Sequence, residues 1–140
     1  MNFSRRETLV LGAGAVALTA LPLRVGAAPT VDEVIAGFTG GADIGEGGVS
    51  LIAPEIAENG NTVPVGVSGD GAASIIIIAT GNPNPNVCTF NFGELAGSSA
   101  ASTRIRLAGT QDVMAIAKMA DGSFKKASQT VKVTIGGCGG

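Results

Sequence analysis

Residues 63–79 read VPVGVSGDGAASIIIIA, and this stretch contains two different strand patterns. In its first part, valines at every second position alternate with proline, glycine and serine, which is the period of a strand buried on one face. The turn residues Gly69–Asp70–Gly71 end this pattern. The run Ile75–Ala79 is then apolar at every position, as is typical of a strand buried on both faces. The stretch therefore predicts a β protein with at least one strand that is covered on both sides.

Similar patterns recur on both sides of this stretch. The other strand candidates are Val49–Ile52, Val87–Phe92, Ser102–Ala108, Asp112–Ala120 and Phe124–Ile135. The apolar spacing within Asp112–Ala120 also suits a helix, but the hairpin signal Asp121–Gly122 directly after it favours a strand. Glu58–Asn61 and Asn82–Asn86 are predicted turns. About seven short strands with regular turns predict an all-β fold, an immunoglobulin-like antiparallel β-sandwich, and this fold alone decides no function.

One short helix is predicted before the strands. Thr30-x-x-Glu33 matches a capping box, and apolar residues follow at helical spacing as far as Phe38. Gly40–Gly41 ends the pattern. Two interpretations remain open, namely a helix that packs on the domain and a helix that docks a partner.

The first 27 residues have the pattern of an export signal. Arg5 and Arg6 form a twin-arginine pair ahead of an apolar run from Leu9 to Leu23, and Val25–Gly26–Ala27 supplies a cleavage site. The run is shorter than the roughly 20 residues that span a bilayer, so we expect no membrane anchor after processing. The sequence thus predicts a signal at 1–27, one β domain with its helix at 28–135 and an arm at 136–140, in a periplasmic protein.

Composition excludes several classes of function. Without residues 1–27, the chain has six basic and ten acidic residues, a net charge of −4, which argues against binding nucleic acid. The sequence has no histidine, so histidine acid–base catalysis and imidazole metal sites are excluded. Two cysteines alone leave a zinc site short of ligands. We therefore expect no bound metal or cofactor.

The last five residues are Gly136, Gly137, Cys138, Gly139 and Gly140, and they predict a flexible arm. Glycine loses more conformational entropy on ordering than any other residue, and chain ends are poorly ordered unless something holds them. Counted from Ile135, at roughly 3.5 Å per residue, the thiol of Cys138 could stand about 10 Å off the domain. The arm has no cation to activate its thiol. The pattern favours a carrier protein rather than an enzyme, and partner enzymes would activate its thiol.

The second cysteine, Cys88, leaves two alternatives open. A disulfide between Cys88 and Cys138 would make the protein a stapled structural module or a thiol–disulfide redox protein, although a Cys-x-x-Cys motif is absent. In the other interpretation both thiols are free. Strand alternation places Cys88 on the same face as Phe90 and Phe92, which predicts a small residue in the core.

Four stretches of the chain resemble the SoxY family of sulfur carrier proteins. They are APEIAENG at 53–60, GNPNP at 81–85, STRIRLA at 102–108 and the terminal GGCGG at 136–140. The resemblance covers nearly the whole chain after the signal, and the terminal motif is the most specific part. Cys88 departs from the family pattern, in which a small residue such as alanine is expected.

The resemblance implies a periplasmic heterodimer with SoxZ, which is also a β protein. It further implies that thiosulfate-derived sulfur is attached covalently to Cys138. A cytochrome, SoxAX, would join thiosulfate to this thiol, and the hydrolase SoxB would release sulfate. Where present, a sulfane dehydrogenase would oxidise the remaining sulfur.

Overall fold

The computed structural model of the chain describes residues 26–138. The twin-arginine pair, most of the predicted signal and the last two glycines lie outside these residues. Within them, no helix is long and apolar enough to cross a membrane.

The described part of the chain forms one helix and nine strands. Helix α1 is Val31–Thr39. The strands are β1 (Ile44–Glu46), β2 (Ser50–Ile52), β3 (Ile56–Asn59), β4 (Val63–Ser68), β5 (Ala72–Ala79), β6 (Asn86–Asn91), β7 (Ala100–Ile105), β8 (Gln111–Met119) and β9 (Phe124–Ile135). The prediction of an all-β fold with one short N-terminal helix is confirmed.

Two sheets make up the sandwich. The larger sheet has the strand order β1-β9-β8-β5-β6, and β3 also pairs with β9. The smaller sheet has the order β2-β4-β7. The main core lies between the sheets and contains the valines of β4 together with Ile75, Ile77 and Val113 of the larger sheet. The prediction of a half-buried β4 is therefore confirmed.

Strand β5 is covered on both faces, as the apolar run predicted. Its alternate residues Ile76 and Ile78 point away from the main core into a second cluster beneath helix α1. Val34 of the helix belongs to this cluster, and the Phe38 ring packs edge-on against Phe124 of β9 at a centroid distance of 5.9 Å. The helix packs on the domain, in agreement with the first of the two interpretations above.

Local signals fix both ends of α1. The Thr30 hydroxyl accepts a hydrogen bond from the Glu33 amide at 3.3 Å, and the Glu33 carboxylate accepts from the Thr30 amide at 2.7 Å. The hydrogen bonds that the Glu33 carboxylate accepts from the Thr30 amide and from the Thr30 hydroxyl lower the pKa of this carboxyl. Gly40 then ends the helix in the left-handed conformation, with φ at 65°.

Two short strands were missed by the sequence analysis, and both pair in parallel with β9. Residues 44–46 of β1 align with residues 124–126, and Ile56 of β3 aligns with Lys132. The predicted turn at Glu58–Asn61 therefore begins too early, because Glu58 and Asn59 are still part of β3. Distant segments that pair in parallel are not joined by a hairpin turn, so no turn motif in the sequence predicts their pairing. Strands of three or four residues are also too short to show a period.

Candidate functional site at the base of the arm

The end of β9 runs directly into a packed site. The Ile135 carbonyl accepts a hydrogen bond from the Gly60 amide at 2.7 Å. Two residues later, the Gly137 amide donates to the Leu107 carbonyl at 2.8 Å, and Gly137 is buried. Cys138 follows and is exposed. Packing therefore extends two residues beyond the boundary that the sequence suggested at Ile135, and the thiol follows directly on an anchored residue.

Three segments meet at this point through their backbones. The Leu107 amide donates to the Gly60 carbonyl at 2.8 Å, which completes a chain of bonds from β9 through Gly60 and Leu107 back to Gly137. We call the group of Gly60, Leu107, Ala108, Gly136 and Gly137 the arm cradle. The thiol is thus held at its base by the main chain of three distant parts of the sequence.

The arm cradle leaves no space for a side chain at its three glycines. A Cβ atom on Gly60 would lie 2.7 Å from the Gly137 amide nitrogen and closer still to the Leu107 carbonyl oxygen. A Cβ on Gly136 would collide with the Ala108 carbonyl oxygen, and one on Gly137 would lie 2.8 Å from the Gly60 oxygen. None of the three glycines has a positive φ. They are required here for close approach of backbones rather than for an unusual conformation.

Two buried amide side chains hold the segment Arg106–Ala108, which forms one wall of the arm cradle. The Asn82 side chain donates to the Arg106 carbonyl at 2.8 Å and accepts from the Ala108 amide at 2.9 Å. Gln111 donates to the same Asn82 oxygen at 2.9 Å and accepts from the Gly81 amide at 2.8 Å. The irregular segment after β7 is therefore fixed by hydrogen bonds on both sides, although it is not part of a sheet.

The stretches that carry the family resemblance converge on this site. Residues 53–60 contribute Gly60, residues 81–85 contribute Asn82, and residues 102–108 contribute the Leu107–Ala108 wall. The sequence pattern indicates a role for the thiol but none for Gly60, Asn82 or Gln111. The one signal in the sequence for a role at this site is position, because Gly60 and Asn82 lie within the stretches that resemble the family and Gln111 lies beside one of them.

Cys88 lies on β6, an edge strand of the larger sheet, and is a free thiol, as is Cys138. Strands β5 and β8 lie between β6 and β9. The side chain packs against the main core together with Phe90 and Phe92, so the predicted face is confirmed. Burial is partial because nothing covers the outer edge of β6 in the described structure. Desolvation raises the pKa of the Cys88 thiol.

We expect the two thiols to differ strongly in reactivity. In the folded protein, iodoacetamide should label Cys138 first, because Cys88 is partly buried and its raised pKa leaves less thiolate at neutral pH. Labelling of Cys88 should rise only at a more alkaline pH. Mass spectrometry of digested samples measures both rates, and unfolded protein is the control in which they should converge.

The variant Cys88→Ala should lose about 1 kcal/mol of stability or less, the scale of removing a small buried group. Equal labelling of both cysteines in the folded protein would contradict this assignment of Cys88 to the core.

The described residues contain no group of three or more His, Cys, Asp or Glu that could hold a metal ion. The arm cradle itself is built from backbone amides and carbonyls and is held by the neutral side chains of Asn82 and Gln111.

A family model and the solved structures identify the same relatives of this chain. The sequence model of the family described as "Sulfur oxidation protein SoxY" matches residues 35–138. A search of curated proteins found no match. Among solved structures, the sulfur carrier protein SoxY from Chlorobium limicola f thiosulfatophilum is 35% identical, with a TM-score of 0.66. The match covers 76% of this chain and 97% of that chain.

More distant structures share the fold alone. A superoxide reductase (neelaredoxin) from Ignicoccus hospitalis is 18% identical over 75% of this chain and 93% of its own, with a TM-score of 0.55. A putative superoxide reductase from Thermotoga maritima is 15% identical over 61% of this chain and 84% of its own, with a TM-score of 0.52.

Proposed function

The chain belongs to the SoxY family of sulfur oxidation proteins, and we propose that it carries sulfur intermediates of thiosulfate oxidation as covalent adducts of the Cys138 thiol. The observation that supports this most directly is the exposure of Cys138 immediately after the buried, hydrogen-bonded Gly137. A thiol that is exposed at the end of an anchored glycine segment can enter the cleft of another protein. Gly137, the residue before the thiol, remains bound to the domain.

The proposed reaction cycle begins with oxidative attachment. The Cys138 sulfur forms a bond to the outer sulfur of thiosulfate, the thiol proton is released, and two electrons pass to a SoxAX-type cytochrome. The product is a thiosulfonate, in which a sulfonate group is linked to Cys138 through one further sulfur atom. Water then attacks the sulfonate at a SoxB-type hydrolase, sulfate leaves, and a persulfide remains on Cys138. Where present, a sulfane dehydrogenase oxidises this remaining sulfur, and a second hydrolysis restores the thiol.

We propose that the chain is a carrier and that its partners are the catalysts. The sequence contains no histidine that could act as a general base. The backbone amides of Gly60, Leu107 and Gly137 already donate to carbonyl groups inside the cradle, so they are not free to stabilise a developing charge. Activation of the thiol and of water is therefore assigned to the partner enzymes.

We further propose that the protein works in the periplasm as a heterodimer with a SoxZ-like β protein. The twin-arginine pair Arg5–Arg6 supports export. Ile52 and Ile56 are 71% and 61% exposed on either side of Pro54, and such apolar side chains suit a protein interface. Co-purification of a small β protein with the tagged chain would test the pairing.

Intact-mass measurement on protein purified from cells grown on thiosulfate tests the carrier function. We expect a population that carries extra sulfur or a thiosulfonate, all of it removed by dithiothreitol and all of it located on the Cys138 peptide. A protein without adducts that has lost two hydrogens would instead indicate the Cys88–Cys138 disulfide. That result would favour a redox or structural role.

A further inference from the structure

We propose that Arg104 and Arg106, with the Thr62 hydroxyl, form an anion-binding site beside the arm cradle that holds the sulfonate end of a loaded Cys138. This inference rests on the proposed carrier function, because it concerns the adduct that such a carrier would bear.

The two arginines share one face of the chain. Ile105 and Leu107 are buried in the main core, and Arg104 and Arg106 alternate with them and are exposed. Residues two apart in an extended chain lie about 7 Å from each other on the same side. Arg104 is the penultimate residue of β7 and Arg106 directly follows the strand, so both exposed side chains lie near its C-terminal end.

Contacts connect this face to the base of the arm. The Arg104 guanidinium donates to the Thr62 hydroxyl at 3.4 Å. Thr62 follows the Gly60–Asn61 turn, and a Cβ on Gly137 would lie 3.2 Å from the Asn61 nitrogen. Arg106 directly precedes Leu107, whose carbonyl binds the Gly137 amide. Arg106 thus adjoins the residue that binds Gly137, and Arg104 contacts the segment that follows Gly60.

The adduct extends the Cys138 side chain and ends in a group that guanidinium binds. A thiosulfonate extends beyond the Cys138 sulfur by two bonds between sulfur atoms, each of about 2 Å, and ends in three oxygen atoms. Guanidinium groups bind such oxyanions through paired hydrogen bonds.

Charge around the cradle favours an anion, although the protein as a whole is acidic. The segments that meet there are residues 59–64, 80–86, 103–111 and 131–138. They contain no Asp or Glu but do contain Arg104, Arg106 and Lys132. The nearest carboxylates along the chain, Glu58 and Asp112, lie just outside these segments. Lys132 pairs with Ile56, farther from the arm, whereas Glu58 lies next to Asn59, the partner of Ile135. The positive charge near the base of the arm therefore comes from Arg104 and Arg106, with Glu58 as a nearby opposing charge.

This arrangement would distinguish the states of the carrier by charge. The free thiol has no oxygen atoms for the arginines to bind, whereas the thiosulfonate ends in three oxygen atoms and carries a fixed negative charge. Loading would draw the Cys138 side chain onto the domain, and loss of the sulfonate as sulfate would weaken this contact, because the remaining persulfide has no oxygen atoms for paired hydrogen bonds with guanidinium groups.

Chemical loading tests the inference without any partner enzyme. The Cys138 thiolate attacks a central sulfur of tetrathionate, the central S–S bond breaks, and thiosulfate leaves with the electron pair, so that the thiosulfonate forms on Cys138. Methyl methanethiosulfonate gives a matched control, because it leaves an uncharged methylthio group on the same sulfur. We expect the side-chain Nε–H signals of Arg104 and Arg106 to shift in nitrogen-15 NMR spectra of the full chain after tetrathionate treatment. They should stay in place after methylthiolation.

Rates of loading give a second measurement. Each positive charge near the thiolate changes the rate of its reaction with a dianion in water by roughly threefold. The double variant Arg104→Gln, Arg106→Gln should therefore react about tenfold more slowly with tetrathionate. The rate with neutral iodoacetamide is measured beside it, and the ratio of the two rates removes any change in the thiolate fraction, because both reagents react with the thiolate. Lys118→Gln is the matched control, because Lys118 pairs with Phe124 at the other end of β8, away from the cradle.

Three results would overturn the proposal: unshifted arginine signals in the loaded protein, equal shifts with the methylthio group, or equal tetrathionate rates in the double variant and Lys118→Gln. If Cys138 adducts occur in cells but the arginines do not respond, the carrier function stands and only this inference fails.

Discussion

Replacing Gly60 by alanine should destabilise the protein by about 3 kcal/mol, the upper range for overpacking a filled site. For a domain of this size the melting temperature should fall by roughly 10 °C. The physical reason is that the added methyl group would meet the Leu107 carbonyl and the Gly137 amide, and both are backbone groups that cannot rotate away. Relief of the clash requires breaking hydrogen bonds of the cradle, each worth about 1 kcal/mol.

A matched control exists on the same chain. Gly97 is exposed, has no positive φ, and a Cβ there would meet nothing within 4 Å. Gly97→Ala should leave the melting temperature nearly unchanged, while Gly136→Ala should behave like Gly60→Ala because its Cβ collides with the Ala108 carbonyl. Thermal unfolding followed by circular dichroism measures all three. Equal melting temperatures for the Gly60 and Gly97 variants would show that the cradle is not packed as described.

Replacing Cys138 by serine should abolish sulfate release from thiosulfate in a system reconstituted with the partner enzymes. A serine hydroxyl cannot form the sulfur–sulfur bond on which the proposed cycle depends. The melting temperature should stay within about 1 °C of the parent, because Cys138 is exposed and free.

Cys88→Ala is the paired control for this variant, and it should retain full turnover because Cys88 packs against the core away from the arm. A large loss of stability in Cys138→Ser would contradict the assignment, since removing a structural disulfide typically costs about 2–5 kcal/mol. Residual turnover in Cys138→Ser would move the attachment site to another residue.

The strands that the sequence predicted correctly are those with a side-chain pattern. Alternating valines identified β4, and the apolar run within β5 announced burial on both faces, which the helix and the smaller sheet provide. The capping box located the start of α1 because its hydrogen bonds join residues three apart. Strands β1 and β3 escaped prediction because each is short and pairs with β9, far along the chain. No local pattern carries that information.

The sequence by itself determined the chemistry of the site, which is one thiol among glycines with no histidine in the whole chain. Only the tertiary structure decided what those glycines do. A position can require glycine for conformational freedom or for the close approach of two backbones, and the sequence alone does not distinguish these two reasons. Gly136 and Gly137 looked like flexible linker, yet their main chain packs against Gly60 and Leu107–Ala108. Contacts between backbones produce no periodic pattern of side chains. The cradle can therefore be recognised only in the folded structure, where the three segments meet.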